Sequence, residues 1–253
     1  TEMPEMTGVL VGEGEKTFHD LLEYYIDGKG SLGEIRGIAY RDGEEIRHNG
    51  WRELMNLSEI PFVYQHLEKF ENRIIYYESS RGCPYRCSYC LSSADKRLRL
   101  RDIEKVRAEL EFFLYRNVPQ VKFIDRTFNC DHSHAMGIWQ FIKENDNGVT
   151  NFHFEIAADL LTDDELDFLS VLRPGQVQFE AGIQTTNPET LKAINRTMDI
   201  SKVRSVVSRI RQAGNIHIHL DLIAGLPYED LKSFAASFDD VFDMRPEQLQ
   251  LGF

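Results

Sequence analysis

The sequence predicts an α/β fold, a partial six-unit β/α barrel preceded by a short N-terminal α+β appendage. Three observations predict it. From residue 73 onward, short β-rich runs alternate with amphipathic helical runs, the mark of a parallel sheet with crossover connections. The alternation yields six strands and five helical stretches, short of the eight units that close a full barrel. The chain has 253 residues, which suits one such domain plus an addition at roughly 100–200 residues per domain.

Each element has a local reason. Residues 73–79 (RIIYYES) are β-rich. Residues 101–117 form a charged amphipathic helix, with Ile103, Val106, Leu110 and Leu114 at three-to-four spacing. Residues 121–125 (VKFID) read as a buried strand, 132–145 as a helix and 151–157 as a strand with alternating Phe152 and Phe154. Residues 162–172 start a helix with Thr162 and Glu165 in capping-box spacing. A strand at 176–182 follows, then helices at 187–194 and 201–213, the second closed by Gly214. Residues 216–223 are a strand, 229–242 a helix, and 248–253 a strand on which the chain is expected to be cut short. In folds of this kind, chemistry sits at the C-terminal ends of the strands.

Residues 1–72 differ. Residues 8–11 (GVLV) are a short strand, 16–26 a helix, and 34–48 a hairpin turning at Asp42-Gly43. Residues 57–64 read as an extended linker. One strand and one helix cannot bury a core, so 1–72 is expected to be the remnant of a larger domain, with 73–253 the main one.

The net charge of −12, from 41 acidic and 29 basic residues, argues against general nucleic-acid binding. Lys96 to Arg101 (KRLRLR) is the local exception: a solvated face, or a dock for an anionic substrate or partner. No apolar stretch approaches the ~18–20 residues of a membrane span. With no basic-then-apolar leader at its start, the expectation is a cytoplasmic protein away from membranes.

Three of the four cysteines fall within eight residues: Arg81-Gly82-Cys83-Pro84-Tyr85-Arg86-Cys87-Ser88-Tyr89-Cys90. Clustered thiols point to a metal site rather than a disulfide framework. Thiolates are the usual ligands of iron–sulfur clusters, and three of them leave one iron open. A structural zinc site would want a fourth ligand nearby, yet Cys130, His132 and His134 lie forty or more residues beyond Cys90. A ferredoxin-type centre would want a fourth thiolate. Cys130 itself reads as a free thiol.

CPYRCSYC after a strand and Arg-Gly resembles the CxxxCxxC motif of the radical S-adenosylmethionine (SAM) superfamily, over about residues 73–253. The resemblance implies a partial TIM-like barrel, a 4Fe–4S cluster on Cys83, Cys87 and Cys90, and S-adenosylmethionine on its open iron. It further implies cleavage of the cofactor to a 5′-deoxyadenosyl radical, with an electron donor such as a ferredoxin or flavodoxin. Asp125 and Thr127 occupy the place of the family's turn for the methionine amino group, here without its glycine pair. Glu155 resembles the acid that holds the ribose hydroxyls. Gly182-Ile183-Gln184-Thr185 with Arg196 resembles the family's ribose-contacting Gln and carboxylate-binding Arg. Asp221-Leu222-Ile223-Ala224-Gly225-Leu226-Pro227 resembles a segment of the oxygen-independent coproporphyrinogen oxidases, where Asp and Ile line the adenosine site. Tyr89 is expected to contact adenine.

Each residue also has a structural reading. Glu155 could cap a loop, Arg196 could complement a helix C-terminus, Asp221 could be a buried hydrogen-bonding acid, and Glu180 could be an ion pair or a substrate contact. The appendage (VLVGEGEKTFHDLLEY, IRGIAYRDGEEIRHN and SEIPFVY) resembles the junction between a cobalamin-binding domain and the radical core. That implies cobalamin-assisted methyl transfer in a longer protein, on a small-molecule or peptide substrate. The Asp-x-His-x-x-Gly pattern of the lower cobalamin ligand is missing: Asp131-His132-Ser133-His134 has Ser two after Asp. This chain alone is therefore expected to bind cobalamin poorly. The other readings are a cobalamin-free oxidase, a methylthiotransferase, and a non-catalytic metal-stabilised scaffold, which would lose its cofactor-facing positions.

Overall fold

The computed structural model describes residues 3, 5–70 and 73–253. The chain divides into two compact units, Thr1–Pro61 and Phe62–Phe253. The expected boundary after Asn72 lies outside the described residues.

In the first unit, β1 (Gly8–Leu10) pairs antiparallel with β2 (Ile38–Asp42), and β2 with β3 (Glu45–His48), around helix α1 (Glu15–Asp27). The hairpin turn at Gly43 takes a φ of 61°, which glycine adopts without strain. The strand at residues 8–10 is thus not alone. Three strands and a helix bury a small core of Ile35, Ile38 and Tyr40, against which Leu21, Tyr24 and Leu32 pack.

The second unit begins earlier than the strand pattern suggests. Phe62, Tyr64, Leu67 and Phe70 pack on its core, and Tyr64 Oη donates to Tyr76 O at 2.5 Å. β4 (Ile75–Tyr77) leads through a clasp of β5 (Ser80–Arg81) and β6 (Arg99–Leu100) into α2 (Ile103–Tyr115). There follow β7 (Gln120–Phe123), α3 (His132–Glu144), β8 (Asn151–Ile156), α4 (Asp163–Ser170) and β9 (Val177–Gln184). The last elements are α5 (Pro188–Ala193), α6 (Ile200–Ala213), β10 (His217–Ile223), α7 (Leu231–Phe242) and β11 (Gln248–Gly252). Caps fix the helix starts. Asp102, Asn187 and Asp199 each accept a bond from a first-turn backbone N–H, and Thr162 with Glu165 makes the anticipated capping box.

The sheet order is β11-β10-β9-β8-β7-β4, every pairing parallel. This is the six-unit partial barrel. Strand alternation splits its two faces. Phe152, Phe154, Val177, Phe179, Ile218, Leu220 and Leu222 are completely buried against the helices, as is Trp139, with Phe128 nearly so. The other face is polar. One register row runs Lys122, His153, Gln178, His217; the next runs Glu155, Glu180, His219, Gln248; a third runs Gly182, Asp221, Gln250. A cavity lined by Glu155, Glu180, Gly182 and Asp221 opens on this polar face.

Candidate active site

The cysteine loop is held from both ends. Before it, Asp125 is fully buried and accepts bonds from Ser79 N (3.0 Å), Ser79 Oγ (2.7 Å) and Ser80 Oγ (2.6 Å). Burial raises the Asp125 pKa to about 6 against these bonds. Within the loop, Gly82 has a φ of 92°, and a Cβ there would run into the Arg97 carbonyl oxygen. Cys83 N donates to Asp95 O, Ser88 N to Ile194 O and Asn195 Nδ2 to Arg86 O.

The KRLRLR run builds the same clasp. Arg99 pairs with Asp95 at 2.7 Å and Arg101 with Glu109 at 2.6 Å. These two arginines are committed to structure, and Lys96 and Arg97 are exposed, which fits the solvated-face reading.

None of the four cysteines is in a disulfide. Cys83, Cys87 and Cys90 line one cavity of about 200 Å³ together with Tyr89, Thr127, Glu155, Gln184, Arg196 and Asp221. Six of the eight cofactor residues expected from the sequence therefore meet at the three thiols. Asp125 and Ile223 are not part of the lining. Asp125 turns inward to the serines behind the loop, and Ile223 ends β10 half-buried. Cys130 is also outside the lining; burial and then the neighbouring Cys83 push its thiol up to about 12.

Sequence reasoning left out Tyr85, Ser92, Arg126, Asp159 and Thr197, which also line the cavity. Tyr85, Arg126 and Thr197 sit on loops, and Ser92 and Asp159 on short 3-10 turns, where no periodicity marks a facing. Glu180, unplaced in the sequence, lines the cavity as well and is also an ion pair. Its Oε2 lies 2.9 Å from Lys122 Nζ and 3.0 Å from His153 Nε2.

β9 ends in a way that serves the site. Its register with β10 shifts after Asp221, and Gln184 takes a left-handed φ of 71°, a conformation uncommon outside glycine. A Cβ on Gly182 would collide with the Gln184 side-chain amide, so this glycine makes room for it. Arg196 Nη2 donates to Gly182 O, and its Nη1 lies 3.4 Å from Tyr89 Oη and 3.7 Å from Cys87 Sγ.

The charges are tuned apart. The His153 bond, with Lys122, holds Glu180 down at about 2 despite burial. Burial, then Glu180 and Glu155, lifts Asp221 to about 7. Burial and Glu180 raise Glu155. Burial opposes the charge on Lys122, but the bond and attraction to Glu180 more than offset it, so its pKa is raised. Burial brings Tyr85 and Tyr89 up to about 12, so both phenols stay protonated at neutral pH.

Comparison with known proteins places this geometry. The model of the family described as the radical SAM superfamily matches residues 77–241. An uncharacterised methyltransferase of Pyrococcus horikoshii, PH0819, is 26% identical over 93% of this chain and 52% of its own length. The cobalamin-dependent radical SAM methyltransferase TokK of Streptomyces tokunonensis is 26% identical over 88% of this chain and 35% of its own. The chain thus spans about half of the first relative and about a third of the second. Among solved structures, the radical SAM methyltransferase TsrM of Kitasatospora setae superposes with a TM-score of 0.80 at 17% identity, covering 100% of this chain and 52% of its own. A sheet of six parallel strands, three thiols on one loop after the first of them, and a family match across most of the second unit lead to one conclusion: the chain belongs to the radical SAM superfamily.

Proposed function

We propose that this chain is the radical-generating core of an enzyme that, within a longer protein, performs cobalamin-assisted methyl transfer to a carbon centre. The observation that carries the reading is the single cavity into which Cys83, Cys87 and Cys90 open beside Glu155, Gln184, Arg196 and Asp221. The resemblance to TokK, a cobalamin-dependent enzyme by name, supports the methyl-transfer subtype.

The donor set fits the family's two cofactors. Three thiols on one loop, none of them in a disulfide, suit an iron–sulfur cluster with an open iron. Gln184 Oε1 and Arg196 Nε are buried with no hydrogen-bond partner among the described residues. Buried polar atoms are normally satisfied, and a bound polar ligand would satisfy these. When bound, the cluster and S-adenosylmethionine supply an electron transfer that breaks a carbon–sulfur bond and yields a carbon radical.

The chain's own residues bind, orient and shield. Cys83, Cys87 and Cys90 would hold the cluster. Arg196, fixed by Gly182 O and next to Tyr89, would offer its planar fork to a carboxylate. Glu155 would accept from vicinal hydroxyls, and Gln184 would bond the same sugar. Tyr89 would pack on the base, with Asp221 and Ile223 nearby and Thr127 on the wall by Cys83. Asp125 would act indirectly, by holding Ser79 and Ser80. Electrons would come from a small reductant such as a ferredoxin or flavodoxin. Among the described residues, no helix is long and apolar enough to cross a membrane.

The test is anaerobic reconstitution with iron and sulfide, followed by electron paramagnetic resonance of the reduced protein with and without S-adenosylmethionine. A 4Fe–4S signal that shifts with the cofactor, and release of 5′-deoxyadenosine, is the expected result. Uptake of zinc without a cluster would overturn the reading. Little cobalamin should stay with the isolated chain; methyl transfer should need the longer protein.

A further inference from the structure

Below the thiols, the polar face of the sheet gathers three potential ligands from two adjacent strands. Glu180 on β9 and His219 on β10 are register partners, and Asp221 is the next residue on the same face of β10. Their ligating atoms all lie within 4.8 Å of one another. His219 is 5% exposed, so it is buried beyond nine-tenths, and its Nε2 has no hydrogen-bond partner. That nitrogen lies 3.1 Å from Asp221 Oδ1, which is likewise buried with no hydrogen-bond partner among the described residues. Two orphaned buried atoms facing each other call for a third party that both can bind.

The local charge calls for the same thing. Three carboxylates, Glu155, Glu180 and Asp221, approach one ammonium, Lys122. The charge of Arg126 acts on Glu155, so the Glu180–Asp221 end has Lys122 and His153 as its basic neighbours. Lys122 and His153 both engage Glu180 Oε2. Both lie on the Oε2 side, so Oε1 is left for a ligand, and the Lys122 ammonium competes with a cation for the same carboxylate.

We propose that Glu180, His219 and Asp221 form a divalent-cation site at the floor of the cavity, separate from the three thiols. One imidazole nitrogen and two carboxylate oxygens suit borderline ions such as Mn²⁺, Fe²⁺ or Zn²⁺. Asp221 can serve this site through its buried Oδ1 and still face the cavity. A cation held by three protein ligands keeps positions open, so a substrate oxygen such as a carbonyl, carboxylate or hydroxyl could complete its shell. The site would thereby select substrates with an oxygen donor near the reacting carbon.

The probe is Mn²⁺ alone, titrated into the cluster-loaded, oxidised protein, whose cluster is silent in electron paramagnetic resonance. Bound Mn²⁺ is read as loss of the sharp six-line signal of the free ion. The expected result is saturable uptake of about one ion per chain, weakened about ten-fold or more by His219→Ala and by Asp221→Asn, in line with ligand-site substitutions. Lys122→Met should tighten binding several-fold, because a competing positive charge is removed; a misfolded variant could not do this. The group of exposed His19 with half-buried Asp20 and Glu23 is the other candidate among the described residues, and His19→Ala should change nothing. Absence of saturable uptake, full affinity in both His219→Ala and Asp221→Asn, no tightening in Lys122→Met, or loss in His19→Ala would each overturn the proposal.

Discussion

Ser80 Oγ stands 2.6 Å from Asp125 Oδ1, and through that bond the second residue after β7 holds the chain that enters the cysteine loop. Ser79 makes two more bonds to the same carboxylate, and His134 Nε2 lies 3.1 Å from Ser79 Oγ. The thiols are therefore positioned by a buried acid that does not line their cavity.

That acid gives a pH signature. Asp125 has a folded pKa of about 6, above its ordinary 3.8. The folded state thus binds more protons than the unfolded state between about pH 4 and 6, and stability contributed by the protonated acid falls as pH rises through this window. Asp125→Asn should lack that slope. The stability cost of the substitution should be larger at pH 4 than at pH 7.5, by about 3 kcal/mol at ~1.4 kcal/mol per pKa unit. Urea unfolding of both proteins across pH 4–8 measures it; a pH-independent difference would refute it.

Gly82→Ala should disable the loop. The left-handed φ alone costs on the order of 1–3 kcal/mol for a residue with a Cβ, and the Arg97 carbonyl blocks the added carbon. Iron content after reconstitution should fall to less than half of wild type, with a lower melting temperature. Gly148→Ala, also at positive φ but with open space around it, should keep full iron content.

Arg196→Lys should keep the cluster and weaken the cofactor. A lysine ammonium cannot reproduce a fork that reaches Gly182 O and the Tyr89 hydroxyl together. Calorimetric titration of the cluster-loaded protein with S-adenosylmethionine should show a loss of about ten-fold or more, worth ~1.4 kcal/mol per decade, at unchanged iron content.

Thr162→Ala tests the scaffold alone. It removes one side of the α4 capping box, at a cost of about 1 kcal/mol. Thermal unfolding should register this while iron content stays unchanged.

The barrel was legible because alternation of apolar residues survives in each strand, and because Thr162, Asn187 and Gly214 mark helix ends by their chemistry. The thiols were legible from spacing alone. Asp125 was harder. It reads as the last residue of a strand aimed at the site, but β7 ends at Phe123; Ile124 is partly exposed and Asp125 is buried behind the loop. One residue of register decides which side a group faces. His219 shows the opposite case. It lies within the strand expected at residues 216–223, yet only the parallel pairing brings it opposite Glu180. Likewise, three strands in the first unit have a core because β1 finds β2 across an intervening helix, a long-range pairing that local pattern does not specify.

The two faces of the six-stranded sheet divide labour in a way that bears on how such an enzyme changes. A closed barrel fills its middle with interlocking branched side chains, so altering its lumen disturbs cohesion. Here cohesion resides in the Phe, Ile and Val layer against the helices, while the lumen rows are His, Lys, Gln, Glu and Asp. Substitutions along those rows would leave the packed layer untouched. The fold thus keeps its holding and its choosing on opposite sides of one sheet, and a lineage could exchange substrates by rewriting the lumen without repacking the core.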